Sequence, residues 1–117
     1  MWYPSGGIKV YLGLGATDMR KSIDTLSILV SQHLQQDPFS GHLFVFCNRR
    51  RNILKILYWD RNGFCLWHKR LEKDRFRWPE AEREVKEISS RELRWLIEGL
   101  EIDQSQAHAN LDYDSVY

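Results

Sequence analysis

The residues most suited to chemistry lie in a cationic and aromatic stretch between Cys47 and Arg70, CNRRRNILKILYWDRNGFCLWHKR. Basic side chains are interleaved with tryptophans there, and two more arginines follow. The candidate DNA-binding residues are Arg49, Arg50, Arg51, Lys55, Trp59, Arg61, Trp67, Lys69, Arg70, Arg75 and Arg77. Lysine and arginine gain free energy by releasing counterions from phosphates, and indole rings stack on exposed bases. The stretch therefore predicts a nucleic-acid-binding surface.

A hairpin around residues 60–63 determines which of these side chains share a face. If Gly63 takes the left-handed position of a three-residue loop, Asp60 lies opposite Phe64. Strand alternation then puts a cationic and aromatic set on one face. That set is Lys55, Trp59, Trp67 and Lys69. Arg49, Arg50 and Arg51 form the tip of a preceding hairpin, where three arginines serve no packing purpose, and we expect them to contact DNA or another polyanion.

The same stretch also has a purely structural interpretation. Tryptophans on a half-exposed sheet are usually covered by a helix or a partner subunit, and charges between them commonly form a solvated rim. Under this interpretation Trp59 and Trp67 are packing or interface residues.

Other patterns that could carry chemistry are weaker. Residues 13–16, GLGA, have the place of a dinucleotide-binding loop but lack its third glycine. The four histidines and two cysteines have no metal-ligand spacing. Asp18, Asp24 and Asp60 could form a carboxylate set for phosphoryl transfer, although helix capping and turn formation explain Asp18 and Asp60 more simply. We expect no catalysis, no cofactor and no metal site.

The net charge of +1 conceals a segregated charge distribution. Residues 42–79 hold ten basic and three acidic side chains, whereas residues 80–117 hold four basic and ten acidic ones. A basic middle block favours a polyanionic partner. The acidic block could either contact the basic block or discourage non-specific binding.

Composition bounds the class of protein. The chain has 117 residues, 43% hydrophobic and 28% charged, which is typical of a globular domain. Its longest apolar runs are far short of the roughly 20 residues that cross a bilayer, and its N-terminus lacks the layout of a signal peptide. Cys47 and Cys65 fit free thiols of a reducing compartment. We expect a cytoplasmic protein without a membrane partner.

The secondary structure follows from periodicity and from turn signals. Apolar residues recur every three or four positions over Met19–Gln35, which predicts an amphipathic helix that Thr17 or Asp18 could cap. The sequence SSRE at residues 89–92 is a capping box that begins a second helix, predicted to run to Leu100. Strands are predicted at Ile8–Leu12, Leu43–Cys47, Ile53–Asp60 and Gly63–Leu71, with Arg75–Trp78 and Val85–Ile88 as short additions.

These elements predict an α+β fold. We expect an antiparallel meander of about four to five strands, with one long helix on a face and a shorter C-terminal helix at the side. Residues 1–103 are predicted to form a single domain, and residues 104–117 a polar, loose C-terminal tail.

Several segments also carry a family resemblance in their order and spacing. They are residues 10–12, VYL; 17–22, TDMRKS; 37–46, DPFSGHLFVF; 54–60, LKILYWD; 63–66, GFCL; 69–72, KRLE; and 76–79, FRWP. Together they resemble TnpB, the small accessory protein family of bacterial insertion sequence 66 elements. The resemblance implies a protein encoded beside a separate transposase and needed for efficient transposition. It implies no catalytic residues.

The combined prediction is an accessory protein that assists DNA transposition by non-catalytic DNA binding. Its expected partners are DNA, in particular the ends of the element, and the transposase of the same element. The alternative is a protein-interaction module that docks on the transposase without contacting DNA. Assembly into a homo-oligomer is left open.

Overall fold

The structure is a computed structural model that describes residues 7–102. Within them, five strands and two helices confirm the predicted α+β class. The elements are β1 (Val10–Gly13), α1 (Ile23–Gln32), β2 (Leu43–Cys47), β3 (Ile53–Asp60), β4 (Gly63–Arg70), β5 (Val85–Ile88) and α2 (Ser90–Ile97). The predicted tail at residues 104–117 lies outside the described residues.

The strands form one sheet in the order β4-β3-β2-β1-β5. Strands β2, β3 and β4 are the predicted antiparallel meander. Strand β1 pairs in parallel with β2 and antiparallel with β5. The parallel pair was not predicted, and it arises because α1 forms the crossover between β1 and β2, as parallel neighbours require.

Both faces of the sheet are covered. The first face packs on α1 through buried side chains that include Leu26, Val30 and Phe44. The opposite face packs on α2, whose Leu93 and Leu96 are fully buried. We expected α2 at the side of the sheet, and its true position follows from β2, in which all five residues of LFVFC are buried and both faces are apolar.

The first helix starts later than predicted. Its N-cap is Ser22, whose backbone N–H donates to Thr25 Oγ1 at 3.2 Å. Neither predicted cap serves this role: the Thr17 N–H donates to the Cys47 carbonyl at 2.9 Å, and the Asp18 carboxylate accepts from Arg20. Residues 17–21 therefore form a turn that is fixed to the end of β2.

The second helix begins as predicted. The Glu92 N–H donates to Ser89 Oγ at 3.1 Å, and the Ser89 N–H donates to Glu92 Oε1 at 2.8 Å, which confirms the capping box. The helix ends at Ile97 rather than at Leu100, and Gly99 follows with a φ of 81°.

Two other predicted features take different forms. Arg75–Trp78 is not a strand: it crosses the α2 side of the sheet and buries Phe76 and Trp78 in the core. In the GLGA segment, Gly13 ends β1, where a Cβ atom would lie 2.8 Å from the Phe46 ring, and Gly15 has a φ of 87°. Close packing thus explains the glycine at position 13, and a turn explains the glycine at position 15.

No helix within residues 7–102 is long and apolar enough to cross a membrane.

Candidate nucleic-acid interface

The predicted site residues divide between the two ends of the sheet. The turn between β2 and β3, residues 48–52, carries Arg49, Arg50 and Arg51 and is called the arginine turn; its end of the sheet is the basic end. The turn between β3 and β4, residues 61 and 62, is called the far turn and defines the far end. Strand β3 separates the two turns by roughly 23 Å, at about 3.3 Å per residue. Arg61 and Trp59 lie at the far end and therefore do not join the other arginines.

The predicted register of the β3–β4 hairpin is wrong. Asp60 pairs with Gly63, so the loop has two residues, and Arg61 rather than Gly63 takes the left-handed conformation, with a φ of 54°. One residue fewer in the loop reverses every side chain of β4 relative to the prediction. Trp59 pairs with Phe64 and Trp67 pairs with Ile56, which puts the two tryptophans on opposite faces of the sheet.

Both tryptophans contribute to packing. The Trp59 ring contacts Phe39 and Phe64, with centroids 5.1 Å away in each case. Trp67 is partly buried and packs against the core on the α2 side. The packing interpretation of these two residues thus accounts for their contacts. Trp59 lies on the same face as Lys55, and Trp67 lies with Lys69 on the opposite face. The predicted common face of these four residues is therefore wrong.

Two predicted cations bind backbone carbonyls. Lys55 Nζ donates to the carbonyl of Met19 at 2.8 Å and lies 3.4 Å from that of Lys21. Lys69 Nζ donates to the Ile97 carbonyl at 3.1 Å, at the C-terminus of α2, where carbonyls lack helical partners and a positive charge is favourable. Each lysine holds a loop or helix end against the sheet, a role that sequence reasoning missed because both partners are distant in the chain.

The arginine turn has a fixed backbone. Asn48 Oδ1 accepts from the N–H groups of Asn52 and Ile53, both at 3.0 Å, and Asn48 Nδ2 donates to Asn52 Oδ1 at 2.8 Å. The Arg51 carbonyl accepts from the Phe76 N–H at 2.7 Å. The asparagine at each end of the turn is the sequence signal for this arrangement, since asparagine commonly organises turns through its side chain.

Three concavities surround this turn. The first, about 380 Å³, lies between residues 16–19 and Arg49 and Arg50. The second, about 180 Å³, is lined by Arg49, Arg51 and residues 78–81. The third, about 650 Å³, is lined by Arg51, residues 73–77 and the end of α2. Arg49 borders the first two and Arg51 the last two, so the three concavities are neighbours at the basic end, and together they are called the track.

The predicted arginines of the basic end differ in how far they are neutralised. Arg70 pairs with Glu72 at 3.0 Å, and an Arg77 nitrogen lies 3.9 Å from Glu101. Arg49, Arg50, Arg51 and Arg75 have no ion-pair partner among residues 7–102. These four guanidinium groups are therefore the ones most available to an anionic ligand.

Asp18, which lines the first concavity, does not neutralise these arginines. Its carboxylate forms a bidentate pair with Arg20, with the Arg20 NH2 group 2.7 Å from Oδ2. The side-chain hydrogen bonds from Arg20 hold the pKa of the Asp18 carboxyl well below its usual range. Arg20 thus compensates the one carboxylate that lies beside Arg49 and Arg50 in this concavity.

Neither cysteine is part of a site that the structure describes. Cys47 is buried, and desolvation raises the pKa of its thiol to about 12. Across residues 7–102, no three side chains of His, Cys, Asp or Glu come close enough together to hold a metal ion.

The fold and the site define a small α+β protein with a helix on each sheet face and a cationic turn at one end. The family model of IS66 Orf2-like proteins matches residues 8–107. The chain therefore belongs to this family of insertion-sequence accessory proteins, as the resemblance had indicated.

Two relatives are similar over most of their length. Both are uncharacterized proteins of Sinorhizobium fredii, named y4hO and y4jC. The first is 39% identical over 99 residues, which cover 84% of this chain and 86% of the relative. The second is 33% identical over 98 residues, which cover 84% of each. No solved structure matches the chain.

Proposed function

We propose that this protein assists transposition of its insertion sequence by binding DNA through the basic end, without catalysis. The observation that carries the proposal is the arginine turn, because it presents three arginines without an ion-pair partner in the described chain on a backbone fixed by Asn48 and Phe76. Guanidinium groups bind phosphate oxygens with two parallel hydrogen bonds, and a fixed backbone lowers the entropy lost on binding.

Flanking cations extend the contact surface. Arg75 is exposed and unpaired among the described residues, and Arg70 and Arg77 have only solvent-exposed carboxylate partners. Exposed ion pairs contribute about 0 to 1 kcal/mol, so phosphates can replace these carboxylates at little cost. Lys55 and Lys69 act indirectly in this proposal, since they fix the 19–21 turn and the end of α2 on either side of the track.

The test is a DNA titration over a series of salt concentrations. The variant Arg49→Gln, Arg50→Gln, Arg51→Asn removes the three charges, and asparagine suits the left-handed φ of 61° at position 51. The matched control, Lys9→Gln, Arg61→Asn, Arg91→Gln, removes three exposed charges from the far end, where β1 begins, β5 ends and α2 starts. Each lost phosphate contact should lower the slope of log affinity against log salt by about 0.9 on duplex DNA. The first variant should therefore lose a slope of roughly 2 to 3, and the control should lose little.

Two results would contradict the proposal. One is equal loss of slope in both variants, which would mean that only net charge matters. The other is the absence of DNA binding by the parent protein at low salt. Thermal melts of both variants establish that the comparison is made between folded proteins.

A second candidate function is docking on the transposase of the same element. It is favoured by an aromatic cluster at the far end, where Phe39 is 58% exposed although it contacts Trp59 and Phe64. Exposed apolar clusters are typical of protein interfaces. Phe39→Ser should weaken co-purification with the transposase while leaving DNA binding intact, and unchanged co-purification would remove this candidate.

A further inference from the structure

We propose that the second concavity is a subsite for one phosphate group of the DNA backbone, held by Arg49, Arg51 and the indole N–H of Trp78. This inference rests on the proposed DNA binding and specifies where one phosphate lies. The concavity, lined by Arg49, Arg51 and residues 78–81, is called the indole pocket.

The first support is the hydrogen-bonding character of the two arginines. Arg49 and Arg51 border the indole pocket, and neither has an ion-pair partner among residues 7–102. A guanidinium group donates hydrogen bonds and accepts none, so two of them beside one small pocket select a ligand rich in acceptors. A phosphate group offers several acceptor oxygens together with the complementary charge.

The second support is an unpartnered donor on a residue that lines the indole pocket. Trp78 is 6% exposed and lines the indole pocket. Its Nε1 is the one buried side-chain nitrogen or oxygen within residues 7–102 that has no hydrogen-bond partner. An indole N–H can only donate, and burial of a donor without an acceptor is unfavourable. Only an acceptor can partner this N–H, and the two arginines select the same chemistry.

The arrangement also defines how the ligand reaches the indole. Less than 1 Å² of the Trp78 nitrogen is accessible, so the 78–81 segment must shift slightly before an oxygen can accept from it. The arginine turn does not need to move, because Asn48 and the Arg51 carbonyl already fix it. Phosphate binding is thus expected to shift the 78–81 segment slightly against a fixed turn.

Glu80 gives the pocket an opposing charge. Its side chain is exposed and the residue lines the pocket together with the arginines. A carboxylate there repels a phosphate, so its neutralisation in Glu80→Gln should strengthen phosphate binding. This opposite sign distinguishes a phosphate subsite from a site of general structural importance, where any substitution would weaken binding.

The experiment follows the indole N–H of Trp78 by nuclear magnetic resonance. A ¹⁵N-labelled full-length chain is titrated first with inorganic phosphate, with sodium chloride at equal ionic strength as the control, and then with a short DNA duplex. Trp78→Phe identifies the resonance by its disappearance, and Trp95→Phe, outside the pocket, is the matched control. We expect a saturable downfield shift of the Trp78 resonance with both ligands and none with chloride.

The variants set the size of the effect. Trp78→Phe and Arg51→Asn should each decrease phosphate affinity by about tenfold. This is the effect expected for the loss of one charge-assisted hydrogen bond. Glu80→Gln should increase the affinity several-fold. If Trp78→Phe does not fold, the resonance can be assigned by through-space contacts in the parent protein, and Arg51→Asn and Glu80→Gln carry the test.

Failure of this inference is distinguishable from failure of the proposed function. DNA binding that leaves the Trp78 resonance and the Trp78→Phe affinity unchanged would overturn the subsite and leave DNA binding intact. A shift with inorganic phosphate but none with DNA would also overturn it, since the pocket would then bind only free phosphate. Absence of any DNA binding, measured separately, would overturn the proposed function.

Discussion

The arginine turn and the far turn are similar in sequence and different in their surroundings. Each contains a left-handed arginine, Arg51 with a φ of 61° and Arg61 with a φ of 54°, beside an asparagine. Around the arginine turn, N–H groups of Phe76 and Leu71 donate to the carbonyls of residues 51 and 52, and three concavities adjoin it. Within residues 7–102, the far turn forms backbone hydrogen bonds only with its own hairpin. A cationic turn thus becomes a candidate site where other elements surround it.

The largest expected difference between the two turns concerns their asparagines. Asn48→Ala removes three side-chain hydrogen bonds of a half-buried turn and should lower the free energy of unfolding by about 1 to 3 kcal/mol. Asn62→Ala removes a side chain that is exposed and forms no hydrogen bond among the described residues, and should cost under about 0.5 kcal/mol. Urea denaturation measures both, and equal losses would show that the arginine turn is not specially fixed.

A second expected difference separates the lysines of the basic end from its arginines. Lys69→Gln removes the cation that contacts the C-terminal carbonyl of α2 and should destabilise the fold by about 1 kcal/mol. It should leave the salt dependence of DNA binding nearly unchanged. Arg49→Gln should do the reverse, with little effect on stability and a slope lower by about 0.9. Denaturation and salt titrations of the two variants check this. A large slope change for Lys69→Gln would mean that Lys69 contacts DNA.

The smallest expected effect concerns the two left-handed arginines. Glycine adopts positive φ without strain, so Arg51→Gly and Arg61→Gly should each stabilise the fold by about 0.5 kcal/mol, after the entropy of glycine in the unfolded chain is counted. The two variants should differ in binding, because Arg51→Gly also loses a guanidinium group of the track. Melting temperatures and DNA affinities test the pair, and unchanged affinity in Arg51→Gly would contradict the contact that we propose for Arg51.

Much of the fold could be predicted because it depends on local patterns. The bounds of β2, β3 and β5 and the Ser89 capping box agree with the prediction, since alternation, β-branched residues and cap signals act within a few positions. The register of β4 could not be predicted, because two-residue and three-residue loops fit the same Asp-Arg-Asn-Gly sequence. The one-residue difference in loop length determines that Trp59 and Trp67 lie on opposite faces of the sheet.

The candidate site was predictable only in part. The sequence identified Arg49, Arg50 and Arg51, because a cluster of like charges in a turn has no packing explanation. It could not separate them from Lys55 and Lys69, since composition does not show which cations already have partners. The partners of the lysines are 28 to 36 positions away in the chain.

The sequence by itself determined the α+β class, the family and the position of the arginine cluster, because these depend on periodicity, motif order and charge along the chain. Only the tertiary structure decided which charges remain available. It paired Lys55 and Lys69 with backbone carbonyls, and it put Trp59 and Trp67 on opposite faces of the sheet. It also brought Trp78 into the lining of the same pocket as Arg51, 27 positions away, because the apolar side chains of Phe76 and Trp78 fill the core on the α2 side. Burial of those rings is driven by their area and not by their polar atoms, so the pocket is a consequence of packing that no local pattern encodes.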